Sequence, residues 1–225
     1  MFRACRRVRG PGVAVWLMVM TAMLGGVVGS GPAWGQAPQP YLMTTQEAVL
    51  LKEAAAYLNS IRTMRARFAQ TSSTGNYAEG TVYLQRPGRL RIEYDPPAEV
   101  LVVANGSSLI YEDGELDQVS YIGIDDTPLG LLLRESVEFT DPEITVTDMR
   151  QSAGLLDISM VQTDDPGQGT LTLRFALQPM ELRQWKVRDA QNVEVIVTLF
   201  TPRFGVDLDP DLFHYAQRPG IRRAD

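Results

Sequence analysis

Few side chains in this sequence could make or break bonds, and their spacing argues against catalysis. His214 is the one histidine. It stands between Phe213 and Tyr215, and no Gly-x-Ser-x-Gly turn offers it a serine to activate. Asp207-x-Asp209-x-Asp211 begins like a calcium loop, but the glycine that should follow is absent and position twelve is Arg218, not an acid. The carboxylate pairs Asp125-Asp126 and Asp164-Asp165 stand at turns or helix starts, where capping accounts for them. No Gly-Lys pair occurs, so there is no phosphate-cradling loop. The expectation is a protein that is not an enzyme, with no metal and no cofactor.

One charged residue does occupy a demanding place. In the stretch 79–97, Thr81-Val82-Tyr83-Leu84-Gln85 and Arg89-Leu90-Arg91-Ile92-Glu93-Tyr94 each alternate with the period of a strand that is apolar on one face. Arg86-Pro87-Gly88 between them has the composition of a tight turn. Counting in twos puts Arg86 on the face of Val82 and Leu84, with Leu90, Ile92 and Tyr94 on the matching face of the return strand. A charge there is costly without a partner. The sequence leaves two readings open: an arginine that bends out to solvent, or one that works inside.

The elements that must position these groups follow from the rest of the chain. Residues 1–10 carry Arg3, Arg6, Arg7 and Arg9 and no acid, and an apolar run of about 16 residues follows, shorter than the ~20 that span a bilayer. Ala33-Trp34-Gly35 supplies small residues for cleavage. Residues 1–35 therefore read as a secretory signal peptide and 36–225 as one exported domain, with its core at about 44–215. The only cysteine, Cys5, leaves with the leader, so no disulfide is expected. Without the leader, 17 basic residues face 27 acidic ones, a formal charge of −10. Such a chain is repelled by nucleic acid and by anionic headgroups.

Thr44-x-x-Glu47 has the spacing of a capping box, and Leu50, Ala54, Tyr57, Ile61 and Met64 then recur as one helical face, in a helix ending near Ser60. From there the period is two. Strands are expected near 65–70, 79–86, 89–94, 99–104, 108–112, 116–122, 143–148, 155–161, 169–176, 181–188 and 193–200. Turn residues such as Asn105-Gly106 and Asp113-Gly114 separate them. Asn105-Gly106-Ser107 also fits a glycosylation sequon, but hairpin geometry accounts for it. The predicted fold is mainly β with short α: an incomplete antiparallel barrel of about eleven strands with an N-terminal helix. The break between strands is a short helix of about two turns, opened by Asp126, Thr127 and Pro128 and carrying Leu129, Leu131, Leu132 and Leu133. Being apolar all round, it is either core or a cover over something greasy.

Several pieces in order resemble the outer-membrane lipoprotein carrier (LolA) family. They are Phe68-Ala69-Gln70, Gly80 six residues before Arg86-Pro87, the strand ending in Tyr94 before Asp95-Pro96, the lid-like Thr127-Pro128 with its leucines and Arg134, and Asp209-Pro210 before Phe213. Together they span roughly 48–215. Leu129, Leu90 and Ile92 stand where many carriers have aromatics, which alters the cavity's shape more than its chemistry. The resemblance implies a periplasmic carrier that binds the acyl chains of lipoproteins in a cavity lined by Val82, Leu84, Leu90, Ile92 and Tyr94. In it, Pro128, Leu129, Leu131, Leu132 and Leu133 form the lid, and Arg86 is the latch that donates to lid carbonyls. The implied partners are acylated lipoproteins, an inner-membrane ATP-driven transporter that releases them and, where one is present, an outer-membrane acceptor. The carrier itself is expected to be a monomer. The alternative is a sensor of the same half-barrel fold that binds a lipid or peptide and regulates a membrane protein.

Overall fold

The structure, a computed structural model, describes residues 38–217 and 222–223, so the expected leader lies outside the described residues. Thr44 opens the first helix, α1 (Thr45–Ser60). Its hydroxyl accepts from the Glu47 amide, and the Glu47 carboxylate accepts from the Thr44 amide, as the spacing predicted. The buried stripe is Leu51, Ala54 and Leu58, one residue round from the expected face. Leu50 and Tyr57 are half-buried at its border. Ile61 and Met64 are buried but not helical. The chain turns extended at Ile61, the C-cap, and Met64 belongs to the first strand.

Eleven strands follow near the expected places. β1 (Thr63–Ser72), β2 (Tyr77–Gln85), β3 (Arg89–Tyr94), β4 (Val100–Asn105), β5 (Ser108–Asp113) and β6 (Gln118–Gly123) form one antiparallel meander. After a short helix, α2 (Gly130–Leu133), come β7 (Ile144–Ser152), β8 (Leu155–Gln162), β9 (Gly169–Leu177), β10 (Met180–Asp189) and β11 (Glu194–Phe204). β1 pairs with both β2 and β11, which joins the two meanders into one sheet. A two-residue strand not foreseen from the sequence, β12 (Arg222–Arg223), lies parallel on β6. The order β12-β6-β5-β4-β3-β2-β1-β11-β10-β9-β8-β7 leaves the sheet open. Inward side chains from β1–β5 and β7–β11 nevertheless share one apolar cluster with α1 and α2. A flat sheet would spread them too widely, so the sheet curls around them.

Packing explains the small residue in β2. Phe68, Gly80 and Tyr94 stand abreast on β1, β2 and β3. A β-carbon on Gly80 would lie 2.6 Å from Phe68 Cε1 and would overlap the Glu93 carbonyl oxygen. The Phe68 ring occupies that space and meets Tyr94 edge-on, with centroids 5.3 Å apart. The Tyr94 hydroxyl donates to Gln70 Oε1 at 2.7 Å, which gives this buried polar pair its partner.

The C-terminal tail covers part of the outer face. Ile110 and Val119 pack there with Tyr215, and Arg91 Nη1 donates to the Leu212 carbonyl at 3.1 Å. β5 is therefore buried on both faces from Leu109 to Asp113, which breaks the alternation seen elsewhere.

Candidate functional site

Under the curl lies a cavity walled almost wholly by hydrocarbon. Leu58, Ile61 and Met64 come from the α1–β1 side, Val82 and Leu84 from β2, and Leu90 from β3. Leu182 and Trp185 come from β10, and Leu129, Leu132 and Leu133 close the top. Strict alternation would send Leu182 and Trp185 to opposite faces. A bulge at Arg183 shifts the β9–β10 register between Leu182 and Gln184 and turns both inward. The sequence carried no turn or glycine signal for that bulge. Ile92 and Tyr94 share the sheet face but stand off this wall, where Tyr94 is engaged by Phe68 and Gln70. Leu131 is buried without lining the cavity, and Pro128 is half-buried.

The segment over the cavity is shorter than the two turns expected. A 3-10 turn at Ile124–Asp126 precedes a single helical turn at Gly130–Leu133, whose N-cap is Leu129. Thr127 braces the step between them. Its hydroxyl donates to the Ile124 carbonyl at 3.0 Å and accepts from the Gly130 amide at 3.1 Å. Gly130 has no room for a side chain, because a β-carbon there would overlap the Ile124 carbonyl oxygen. One turn cannot hold itself together, so tertiary contacts must. The side chain of Gln162 donates to the Asp125 carbonyl at 2.6 Å, and Asn59 exchanges two hydrogen bonds with the backbone of Val137. Between these anchors, residues 127–133 carry the leucines.

Arg86 stands at the end of β2 with its side chain in the wall and 7% of its surface exposed. Its backbone amide donates to the Arg62 carbonyl at 2.9 Å. The hydrogen bonds expected from its guanidinium to lid carbonyls are not made by Nε or Nη1. Both are buried without a partner among the described residues. The link between the turn and the segment over the cavity is a backbone one, from the Gly88 amide to the Leu133 carbonyl at 2.7 Å. Burial first, and the nearby Arg62 charge second, lower the Arg86 pKa to about 10, so it remains a cation at neutral pH.

The other polar candidates have structural explanations. Asp209 caps the 3-10 turn at Pro210–Phe213 by accepting from the Asp211 amide, and His214 is exposed. Asn105 Oδ1 accepts from the amides of Ser107 and Ser108, which fixes the β4–β5 hairpin. Among the described residues, no group of acids or histidines is placed to hold a metal, and no helix is long and apolar enough to cross a membrane.

An open, curled antiparallel sheet around an apolar cavity, with a short leucine-bearing segment closing its top, is the class of fold that the described residues form. The chain belongs to the LolA family: the family profile described as outer membrane lipoprotein carrier protein LolA matches residues 59–216. An outer-membrane lipoprotein carrier protein of Methylococcus capsulatus is 28% identical over 197 residues, covering 84% of this chain and 90% of that one. The protein of the same name from Nitrosomonas europaea is 24% identical over 184 residues, 78% of this chain and 88% of the other. Among solved structures, a LolA superfamily protein from Nitrosomonas europaea superposes with a TM-score of 0.43 at 8% identity, covering 73% of this chain and 97% of that chain.

Proposed function

We propose that this protein is a periplasmic carrier that takes the acyl chains of lipoproteins at the inner membrane and delivers them to the outer membrane. The observation that carries this reading is the set of leucines, Leu129, Leu132 and Leu133, inserted into a cavity that is apolar but for Arg86. With them in place the remaining space is about 20 Å³, enough for roughly one water. Ligand pockets are commonly about 300–1,000 Å³. Cargo therefore enters only by displacing residues 127–133 and taking over the surface they cover.

The energetics fit an exchange of one greasy occupant for another. Each methylene buried in a membrane contributes about 0.8 kcal/mol, so two or three acyl chains anchor a lipoprotein by tens of kcal/mol. The cavity wall offers a comparable surface outside the bilayer. Extraction needs work from a partner, and an ATP-driven inner-membrane transporter supplies it in this reading. An outer-membrane acceptor receives the cargo.

Arg86 sets how firmly the lid shuts. Closure buries a guanidinium without partners for two of its nitrogens, and uncompensated burial of an ion costs several kcal/mol. Opening frees the guanidinium to find partners. The residue thus weakens the closed state and keeps the lid ready to yield, while the Gly88–Leu133 bond holds it meanwhile.

The deciding experiment uses inner-membrane vesicles bearing a labelled triacylated lipoprotein, a competent transporter and ATP. Label should leave in a soluble one-to-one complex with this protein, and only when the acyl chains are present. Label retained in the vesicles would overturn the carrier reading.

A further inference from the structure

Arg86 is the one group in the cavity wall whose surroundings leave it unsatisfied. Two of its three guanidinium nitrogens are buried without a hydrogen bond among the described residues, although only 7% of the residue is exposed. The charged neighbour acting on it is a second cation, Arg62, so the site is short of negative charge as well as of acceptors. The same wall carries Leu84, Leu90, Leu132 and Leu133, whose side chains can supply neither.

We propose that Arg86 is a headgroup seat: it receives the oxyanion, carboxylate or phosphate, of a single-chain amphiphile whose alkyl chain takes the place of the lid leucines. The inference rests on the acyl-carrier reading and extends it to anionic lipids that are not attached to protein. Such a ligand answers both deficits at once. Its chain lies along the leucine-lined wall, and its head accepts charge-assisted hydrogen bonds in surroundings where water competes weakly. An uncharged head of the same size accepts hydrogen bonds but leaves the buried charge unbalanced. The seat therefore discriminates by charge, while the wall does not discriminate at all.

Decanoate, decyl phosphate and decan-1-ol share one alkyl chain and test this by calorimetric titration of the exported protein at neutral pH. The two anions should bind about tenfold or more tightly than the alcohol. Tighter decanoate identifies a fatty acid as the natural class, and tighter decyl phosphate a phospholipid fragment; either result supports the seat. Arg86→Met should bring all three to the alcohol's affinity, and Arg86→Lys should keep the preference for anions. Equal binding of the three by the unaltered protein would overturn the seat and leave the acyl-carrier reading intact. Binding of none would overturn both. The comparison on the unaltered protein decides the matter even if the Met variant does not fold.

Discussion

The amide of Gly88, in the β2–β3 turn, donates to the carbonyl oxygen of Leu133 in the lid at 2.7 Å. Both partners are backbone, so no replacement short of proline at position 88 deletes the bond. The lid can instead be perturbed through the close fits around it.

Gly130 offers the most direct route, since a β-carbon would overlap the carbonyl oxygen of Ile124. Gly130→Ala should disorder residues 127–133 while the sheet persists, with a loss of about 1–3 kcal/mol of stability. Hydrogen exchange is the measurement. The amides of Gly130 and Leu132, which donate to Thr127 and Leu129, should lose protection while those of β1 and β11 keep theirs. Unchanged protection in the lid would mean that the turn absorbs the methyl group by shifting.

For Arg86 the expectation runs against the usual effect of losing a polar side chain. Replacing a buried, unpartnered charge by an apolar residue is stabilising, by about 1–3 kcal/mol. Arg86→Leu should therefore raise Tm by several degrees and slow acyl-chain uptake, because the lid closes more firmly. A lowered Tm would show that the guanidinium is well satisfied in solution.

Gly80→Ala should be severe, about 3 kcal/mol or more in urea unfolding. Phe68→Leu in the same chain should rescue little of it, because the Glu93 carbonyl still blocks the new methyl group. Full rescue would assign the whole effect to the ring.

The pH response on the acid side has an identifiable contributor on the outer face. Hydrogen bonds from Arg67 hold the Asp95 carboxylate below its ordinary pKa. A lowered folded value means that the pair adds stability above the unfolded value and loses it as pH falls through the folded one. Both side chains are 44% exposed, so the effect is small and falls with salt. Asp95→Asn should flatten the acid limb of the stability curve slightly and leave the alkaline limb alone. An acid limb identical to that of the unaltered protein would remove Asp95 from the account.

What could be read before folding divides along physical lines. Period-two alternation located eleven strands, because each buries one face and wets the other. The in-phase position of Arg86 was legible for the same reason. The helical face was misplaced by one residue because Ile61 and Met64, both apolar, extended the apparent repeat past the point where the helix ends. Trp185 could not be assigned to the cavity, since a bulge without a glycine leaves no trace in composition. The burial of β5 on both faces depends on a tail about 100 residues away, as in the Tyr215–Glu112 hydrogen bond. The Gly88–Leu133 bond was invisible, because any residue but proline has that amide and every residue that carbonyl.

The bulge at Arg183 has one more consequence. The sequence contains three tryptophans, Trp16, Trp34 and Trp185. In a chain that begins at Gln36 only Trp185 remains, and the bulge has put it in the cavity wall beside the lid leucines. Its emission colour then reports one place alone. A blue-shifted spectrum marks a dry pocket, shut or filled with hydrocarbon, and a red shift marks one that has opened to water. The protein thus carries its own optical gauge of whether that cavity is dry or wet, readable without any attached label.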